Sequence, residues 1–441
     1  MKNTNTHNNV SGGLPSSWAV LRKLLYIGLG LKRWLLVGGT GIGLCAIGLA
    51  VVIKNVLALT LPNILPWHLE GLVVGAAGVG LIFLSIYGLY KSLGPLLLRY
   101  QNINSLAQTI YTRRFRERGP KIVAIGGGTG LSKLLSGIKT YTDNITAIIT
   151  VADDGGSSGR LRRELGLLPP GDFRNCLVAL SEEEGLVADL FQYRFAQGDG
   201  LKGHSFGNLF IAAMTSITGS FEKALYESSR VLSVHGRILP STTSHLNLVA
   251  QLDNGSLVRG ESNITSSSGT IERIMIEPAD GAAHPEAISA INNAQLIVIG
   301  PGSLYTSLVP NLLVNGIVNA IQRSSALKMY ICNVATEKGE TDGYTVFDHV
   351  KALQKQTFRG VVDYVIANNH QISAYQGSES LPLIDNTNAT ENVKLVAGDI
   401  IDRQIPLHHD PAKLAELIIE VYHGRDVITR DKHEVSTGET K

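Results

Sequence analysis

The strongest constraint on this chain is a stretch with no charged residue from Trp34 to Ile53, long enough to cross roughly 30 Å of hydrocarbon as a helix at about 1.5 Å per residue. In lipid every backbone polar group must be satisfied within the segment, so such a run is restricted to helix. A second segment, residues 69–90, is uncharged from Gly71 to Tyr90 and follows a connector holding Pro62 and Pro66, so the pair reads as a helical hairpin. Lys2, Arg22, Lys23, Lys32 and Arg33 precede the first span; Lys91, Arg99, Arg113, Arg114, Arg116 and Arg118 follow the second, and the connector offers only Lys54. The positive-inside rule then puts residues 1–33, and everything after Tyr90, on the cytoplasmic side of a cell membrane crossed twice. A cleaved signal peptide is the competing reading, but the leader is long and a second apolar run would survive the cut. Gly39 and Gly43, and Gly71 and Gly75, have the GxxxG spacing that lets helices approach and would permit a homo-oligomer; they serve equally as plain lipid-facing glycines. Residues 91–119 read as a basic juxtamembrane linker.

The remaining composition fits a membrane-attached domain. Hydrophobic residues make up 44% and charged ones 17%, which is apolar for a soluble protein. The net charge of +2 gives no field for nucleic acid. Cys45, Cys176 and Cys332 are too scattered for a disulfide framework or a zinc site.

Residues 120–424 alternate β-branched runs with helical stretches, the pattern of an α/β, doubly wound, Rossmann-like and mostly parallel sheet. The predicted strands are Ile122–Ile125, Ile145–Val151, Leu296–Ile299, Met329–Cys332, Tyr364–Ala367 and Val393–Ala397, with a β-rich antiparallel insertion between Val231 and Glu277 around the Asp253-Asn254-Gly255 turn. The polar tail 425–441 reads as disordered.

Five constellations carry the chemistry. The first strand runs into Gly126-Gly127-Gly128-Thr129-Gly130 and then a helix from about Ser132, an outline of a diphosphate cradle in which backbone N–H groups and a helix N-terminus meet an anion. It is neither GxGxxG nor a Walker loop, and a tight turn without ligand is the competing reading. The second strand ends in Asp153-Asp154-Gly155-Gly156-Ser157; acidic residues at this place in a doubly wound fold hold a ribose or a metal, making Asp153 the best Mg²⁺ candidate, although the run also reads as a turn. Asp172 precedes a helix near Phe173 and serves as an ordinary N-cap or, with Arg174 and Asn175, as part of a phosphate and base contact. His204-Ser205 opens another helix; Ser205 is a natural cap, and His204 and Asn208 share a face if the helix starts early enough. The last is Gly300-Pro301-Gly302-Ser303 with Tyr305 and Asn311, a second strand–glycine–helix unit. With three of the five at strand carboxyl ends, one ligand site at a topological switch point is expected. The motifs hold no obvious nucleophile–base pair.

The intact sequences GGGTG, ADDGGSSG, PPGDFRN, GHSFGN and GPGSLYTSLVPNLL resemble the gluconeogenesis factor (YvcK-type) family within the 2-phospho-L-lactate transferase (CofD-like) superfamily, over roughly Lys121 to His423. The resemblance implies a Rossmann-like domain that binds UDP-sugars such as UDP-N-acetylglucosamine, with NADP as a further candidate. It also implies a regulator of cell shape and envelope synthesis during gluconeogenic growth, partnered with an enzyme of amino-sugar or peptidoglycan precursor synthesis. By the same resemblance, Gly126 to Gly130 and Gly300 to Ser303 face phosphates, with Asp153, Asp172, Asn175 and Asn208 around the nucleoside or sugar. The hairpin departs from the better-known soluble members. The competing activity is that of the superfamily's named member, a Mg²⁺-dependent transfer of a phosphorylated small acid from an activated nucleotide. A tubulin-like GTPase also carries GGGTG, but Leu131-Ser132 departs from its continuation.

Overall fold

The computed structural model describes residues 31–56, 67–97, 112, 114–182, 185–370, 392–405 and 407–424. The tail 425–441, the hairpin connector, most of residues 1–33 and much of the 91–119 linker lie outside the described residues. The chain divides into two compact units, Met1–Glu117 and Arg118–Lys441.

In the first unit, helices α1 (Leu31–Val56) and α2 (Trp67–Leu97) pack antiparallel. Ser85 Oγ donates to Trp34 O at 2.7 Å near one end, and the Cys45 thiol approaches Gly75 O at 3.7 Å near the other. The closest backbone approach does not run through Gly39 or Gly43. A Cβ on Gly39, Gly43 or Gly75 would meet nothing within 4 Å, whereas one on Gly41 would stand 2.9 Å from Gly78 O. The 3.6-residue period from Trp34 brings Gly38, Gly41, Cys45 and Gly48 inward and turns Gly39 and Gly43 out. Among the described residues one segment, Arg33–Ala50, is long and apolar enough to cross a membrane. The second expected span, residues 69–90, lies within helix α2, and its described apolar stretch runs Gly75–Lys91. Two spans are thus not supported among the described residues, where one segment has spanning length.

The second unit is built on a seven-stranded sheet in the order β10-β9-β8-β7-β1-β2-β3, every adjacent pair parallel. Its strands are β1 (Ile122–Gly126), β2 (Ile145–Ile149), β3 (Arg237–Pro240), β7 (Leu296–Ile299), β8 (Leu327–Ile331), β9 (Tyr364–Asn368) and β10 (Lys394–Gly398). All residues of β1, β2 and β7 are buried, as expected of strands covered by helices on both faces. A separate antiparallel sheet, β5-β4-β6, comprises β4 (Asn247–Leu252), β5 (Leu257–Arg259) and β6 (Ile271–Glu277). The insertion therefore begins at Asn247, not Val231: Arg237–Pro240 belongs to the main sheet as an edge strand beside β2, a place where proline is tolerated.

The chain leaves β1 toward β2 and β3, then returns to the other side of β1 as β7. This reversal is the topological switch point. Register pairs Ile125 with Ile299 and Gly126 with Ile149, so the loops after β1 and β7 emerge side by side.

Candidate functional site

Gly127 is extended and caps helix α3 (Gly128–Ile138), which begins four residues before the expected Ser132. After β7, Gly300 at φ +86° turns the chain through Pro301 and Gly302 into one π-helical turn, Leu304–Leu308. The two loops touch: a Cβ on Gly130 would lie 2.7 Å from Pro301 O, and one on Gly302 3.4 Å from Gly127 O. Between them opens a cavity of about 390 Å³. Gly127, Gly128, Thr129, Gly130, Pro301, Gly302, Ser303 and Ser307 line it, together with residues not foreseen from the sequence: Lys133, Asn333, Glu337, His408 and His409. Lys133 lies one helical turn beyond Gly130, facing the same way. Asn333 follows the next strand, so the rule that ligands gather at strand carboxyl ends would have found it. His408 and His409 carry no local signal; burial pushes His409 down to about 4, and its Nε2 meets Cys332 O at 3.2 Å.

Part of the second loop's hydrogen-bonding capacity is already used. Gly302 N donates to Asn333 Oδ1 at 3.0 Å and Asn333 Nδ2 returns a bond to Gly302 O at 3.1 Å. The buried Glu340 carboxylate accepts from Tyr305 N at 3.1 Å and Thr306 Oγ1 at 2.8 Å, taking the positive end of the turn where a ligand anion was expected. Burial raises its pKa against those bonds. The Tyr305 phenol points to Tyr344 Oη at 3.0 Å and does not line this cavity. Asn311, fully buried, donates to Gly126 O at 3.0 Å and Ser307 O at 2.8 Å and so clamps the two loops together.

The other motif residues gather on the β2 side of the first loop, and none of Asp153, Asp154, Ser157, Asp172, Arg174, Asn175, His204, Ser205 or Asn208 lines the cavity. The single site expected from the five motifs is thus two adjoining zones sharing Gly127 and Gly128. Helix α4 (Gly156–Leu165) follows β2, and α5 (Gly171–Leu180) starts at Gly171 with Pro170, not Asp172, at its cap. The Asp172 carboxylate instead accepts from the Gly128 amide, and a Cβ on Gly127 would stand 2.5 Å from its Oδ2. Burial and the neighbouring Asp153 charge push Asp172 up to about 7, against that amide and Arg174. Glu261, from the insertion, hydrogen-bonds Asp153 and is pushed up to about 8, first by burial and then by Asp153. Asp154 accepts from Ser262 N at 3.0 Å and Ser262 Oγ at 2.7 Å, tying the β2 loop to the insertion. A cation among Asp153, Asp172 and Glu261 would relieve their crowding, but among the described residues no three His, Cys, Asp or Glu side chains stand at metal-binding spacing.

Ser205 caps helix α6 (Phe206–Thr218) as expected, accepting from Asn208 N, so His204 lies outside the helix and shares no helical face with Asn208. The two nevertheless meet at Ser157 Oγ, from His204 Nδ1 at 2.9 Å and Asn208 Nδ2 at 3.0 Å. This is a hydroxyl–imidazole contact that the separate motifs do not reveal. Burial, then Arg160, lowers the His204 pKa. Arg174, also buried, donates to Ser205 Oγ at 2.6 Å and Asn175 Oδ1 at 2.8 Å.

The sequence profile of the 2-phospho-L-lactate transferase CofD family matches residues 122–402. The chain belongs to the CofD family. Within the CofD family it groups with the gluconeogenesis factors: it is 46% identical over 313 residues to the gluconeogenesis factor of Bacillus subtilis (strain 168), covering 68% of this chain and 98% of that one. A relative of the same type from Nostoc sp. (strain PCC 7120) is 45% identical over 425 residues, 91% of this chain and 92% of its own. A crystal structure of a UPF0052-family protein from Bacillus halodurans is similar at 46% identity and a TM-score of 0.66, covering 69% of this chain and 99% of that chain. The B. subtilis relative thus matches a length close to that of the α/β unit, whereas the Nostoc alignment extends beyond it.

Proposed function

We propose that this chain is a membrane-attached, cytoplasm-facing regulator that binds a nucleotide sugar, UDP-N-acetylglucosamine or a related UDP-sugar, and supports envelope synthesis and cell shape during gluconeogenic growth. The observation that carries the reading is the cavity where the β1 and β7 loops touch at the switch point. Its volume, about 390 Å³, falls in the range of small-molecule sites. The first-turn amides of α3 have no intrahelical partner and present partial positive charge, and Lys133 adds a full one. A diphosphate suits this lining better than a neutral ligand does. The exposed apolar side chains of Leu35, Leu36, Ile42 and Ile47 on the spanning-length segment support membrane attachment. Ligand-dependent contact with an enzyme of amino-sugar or peptidoglycan precursor synthesis would transmit the signal, and NADP is a competing occupant of the cavity. Calorimetric titration of the full chain in nonionic detergent with UDP-N-acetylglucosamine tests the reading. Saturable heat supports it; no heat at millimolar ligand overturns it.

The second reading is a Mg²⁺-dependent transferase acting on a phosphorylated small acid. The crowded carboxyl groups of Asp153, Asp172 and Glu261 beside the α3 N-terminus favour it, as does the Ser157–His204 contact. Metal-dependent consumption of a nucleotide-linked substrate, lost in Asp153→Asn, would put this reading first.

A further inference from the structure

A second cavity, of about 540 Å³, shares no lining residue with the first, yet the same short segment serves both: Ser303 and Ser307 face the glycine cavity and Tyr305 faces this one. One wall comes from the antiparallel insertion, with Asp253, Thr270, Ile271 and Glu272. The other is helix α7 (Val346–Gln356), whose Asp348, Lys351, Ala352 and Lys355 recur at helical spacing and so share a face. The Tyr305 and Tyr344 hydroxyls complete the lining, and in such a pair one hydroxyl proton is left for a further acceptor.

The charges are sorted by wall. Both lysines stand on the helix and Asp253 and Glu272 on the insertion. Asp348 is committed to its own helix start, where it accepts from Thr345 N at 3.0 Å and Thr345 Oγ1 at 2.7 Å. The charges meet only loosely, Lys351 with Asp348 at 3.8 Å and Lys355 with Glu272 at 4.0 Å, too long for hydrogen bonds and of little worth at this exposure. Positive donors on one side and carboxylates on the other, some with unfilled hydrogen-bonding capacity, flank a lining that includes the apolar Ile271 and Ala352.

We propose that this cavity is a second ligand site, for a small zwitterion whose anionic group sits on Lys351 and Lys355 and whose ammonium sits on Asp253 and Glu272. The assignment is independent of the nucleotide-sugar reading, since it uses none of the glycine cavity. The test is calorimetry on the full chain in nonionic detergent with three probes of one skeleton: 4-aminobutyrate, butyrate and butylamine. The expected result is saturable binding of 4-aminobutyrate at least tenfold tighter than either singly charged probe. It should weaken at least tenfold in the Lys351→Ala/Lys355→Ala double variant and stay unchanged in Lys133→Ala, which alters the other cavity. Both replaced lysines are exposed, so the variant is expected to keep the wild-type thermal transition, read by circular dichroism. Absence of binding, equal binding of butyrate, wild-type affinity in the folded double variant, or loss of binding in Lys133→Ala would each overturn the proposal.

Discussion

Replacing Gly130 by alanine inserts a methyl group where the two glycine loops touch. The new Cβ would lie 2.7 Å from Pro301 O, 2.9 Å from Pro301 C and 3.2 Å from Gly302 N, all backbone atoms, against an ordinary contact of 3.4–4 Å. No side-chain rotation relieves this, so the β7 loop must retreat by several tenths of an ångström. Overpacking of this kind costs about 1–3 kcal/mol. Gly130 lies in a helix with no positive φ, and alanine there returns about 1 kcal/mol of helix propensity. The net loss, roughly 0–2 kcal/mol, leaves a domain of ordinary stability folded. The cavity fares worse, because Pro301, Gly302 and Ser303 form its second wall. Affinity for UDP-N-acetylglucosamine is expected to fall at least tenfold, about 1.4 kcal/mol. Gly126→Ala is the milder comparison: its Cβ would stand 3.2 Å from Leu308 Cδ2 and 3.7 Å from Leu131 Cβ and Cδ1, all side-chain atoms and none of them backbone. Urea denaturation gives the stability and calorimetry the affinity. Wild-type affinity and stability in Gly130→Ala would refute the loop contact on which the cavity depends.

Lys133→Ala is expected to weaken UDP-sugar binding about tenfold and to flatten its salt dependence, with Lys133→Arg restoring most of both, as calorimetry across salt concentrations would show. Asn311→Ala strips the side-chain donor from Gly126 O and Ser307 O and should cost about 1–3 kcal/mol in urea denaturation. Asp154→Ala removes the tie to Ser262 and should cost about 1 kcal/mol by the same measurement, with faster amide exchange over residues 261–266. Glu261 keeps its proton in the folded state up to about pH 8, whereas an ordinary carboxyl loses it near 4.5. Between those values the folded protein binds more protons than the unfolded one, so stability falls as pH rises through the window and levels off above it. Glu261→Gln should therefore flatten the decline and leave the variant more stable than wild type at alkaline pH, read from thermal transitions.

The central strands were legible because β1, β2 and β7 are buried on both faces and read as unbroken β-branched runs that lead toward glycine. The edge strand Arg237–Pro240 was not, since it is four residues long, ends in proline and begins on an exposed arginine. On the helical hairpin, the period was legible but its phase was not. GxxxG spacing marks two glycines on a common face without saying which face meets the neighbour, and Gly41 and Gly78 do so in place of Gly39 and Gly43. Meeting of the two glycine loops followed from topology alone. Division of the motif residues into two zones did not, because it rests on contacts remote in sequence. Examples are the Gly128 amide on Asp172 and Ser262 on Asp154, and above all Glu340, which takes the place of an anion at the second turn. A motif records which groups are present; whether a donor is free depends on the fold.

The most direct test of the central claim is a structure of the full chain with UDP-N-acetylglucosamine bound. The account places the diphosphate against the amides of Thr129 and Gly130, within reach of Lys133 and facing Ser303. A diphosphate seated instead among Arg174, His204 and Asn208, with the glycine cavity empty, would contradict it.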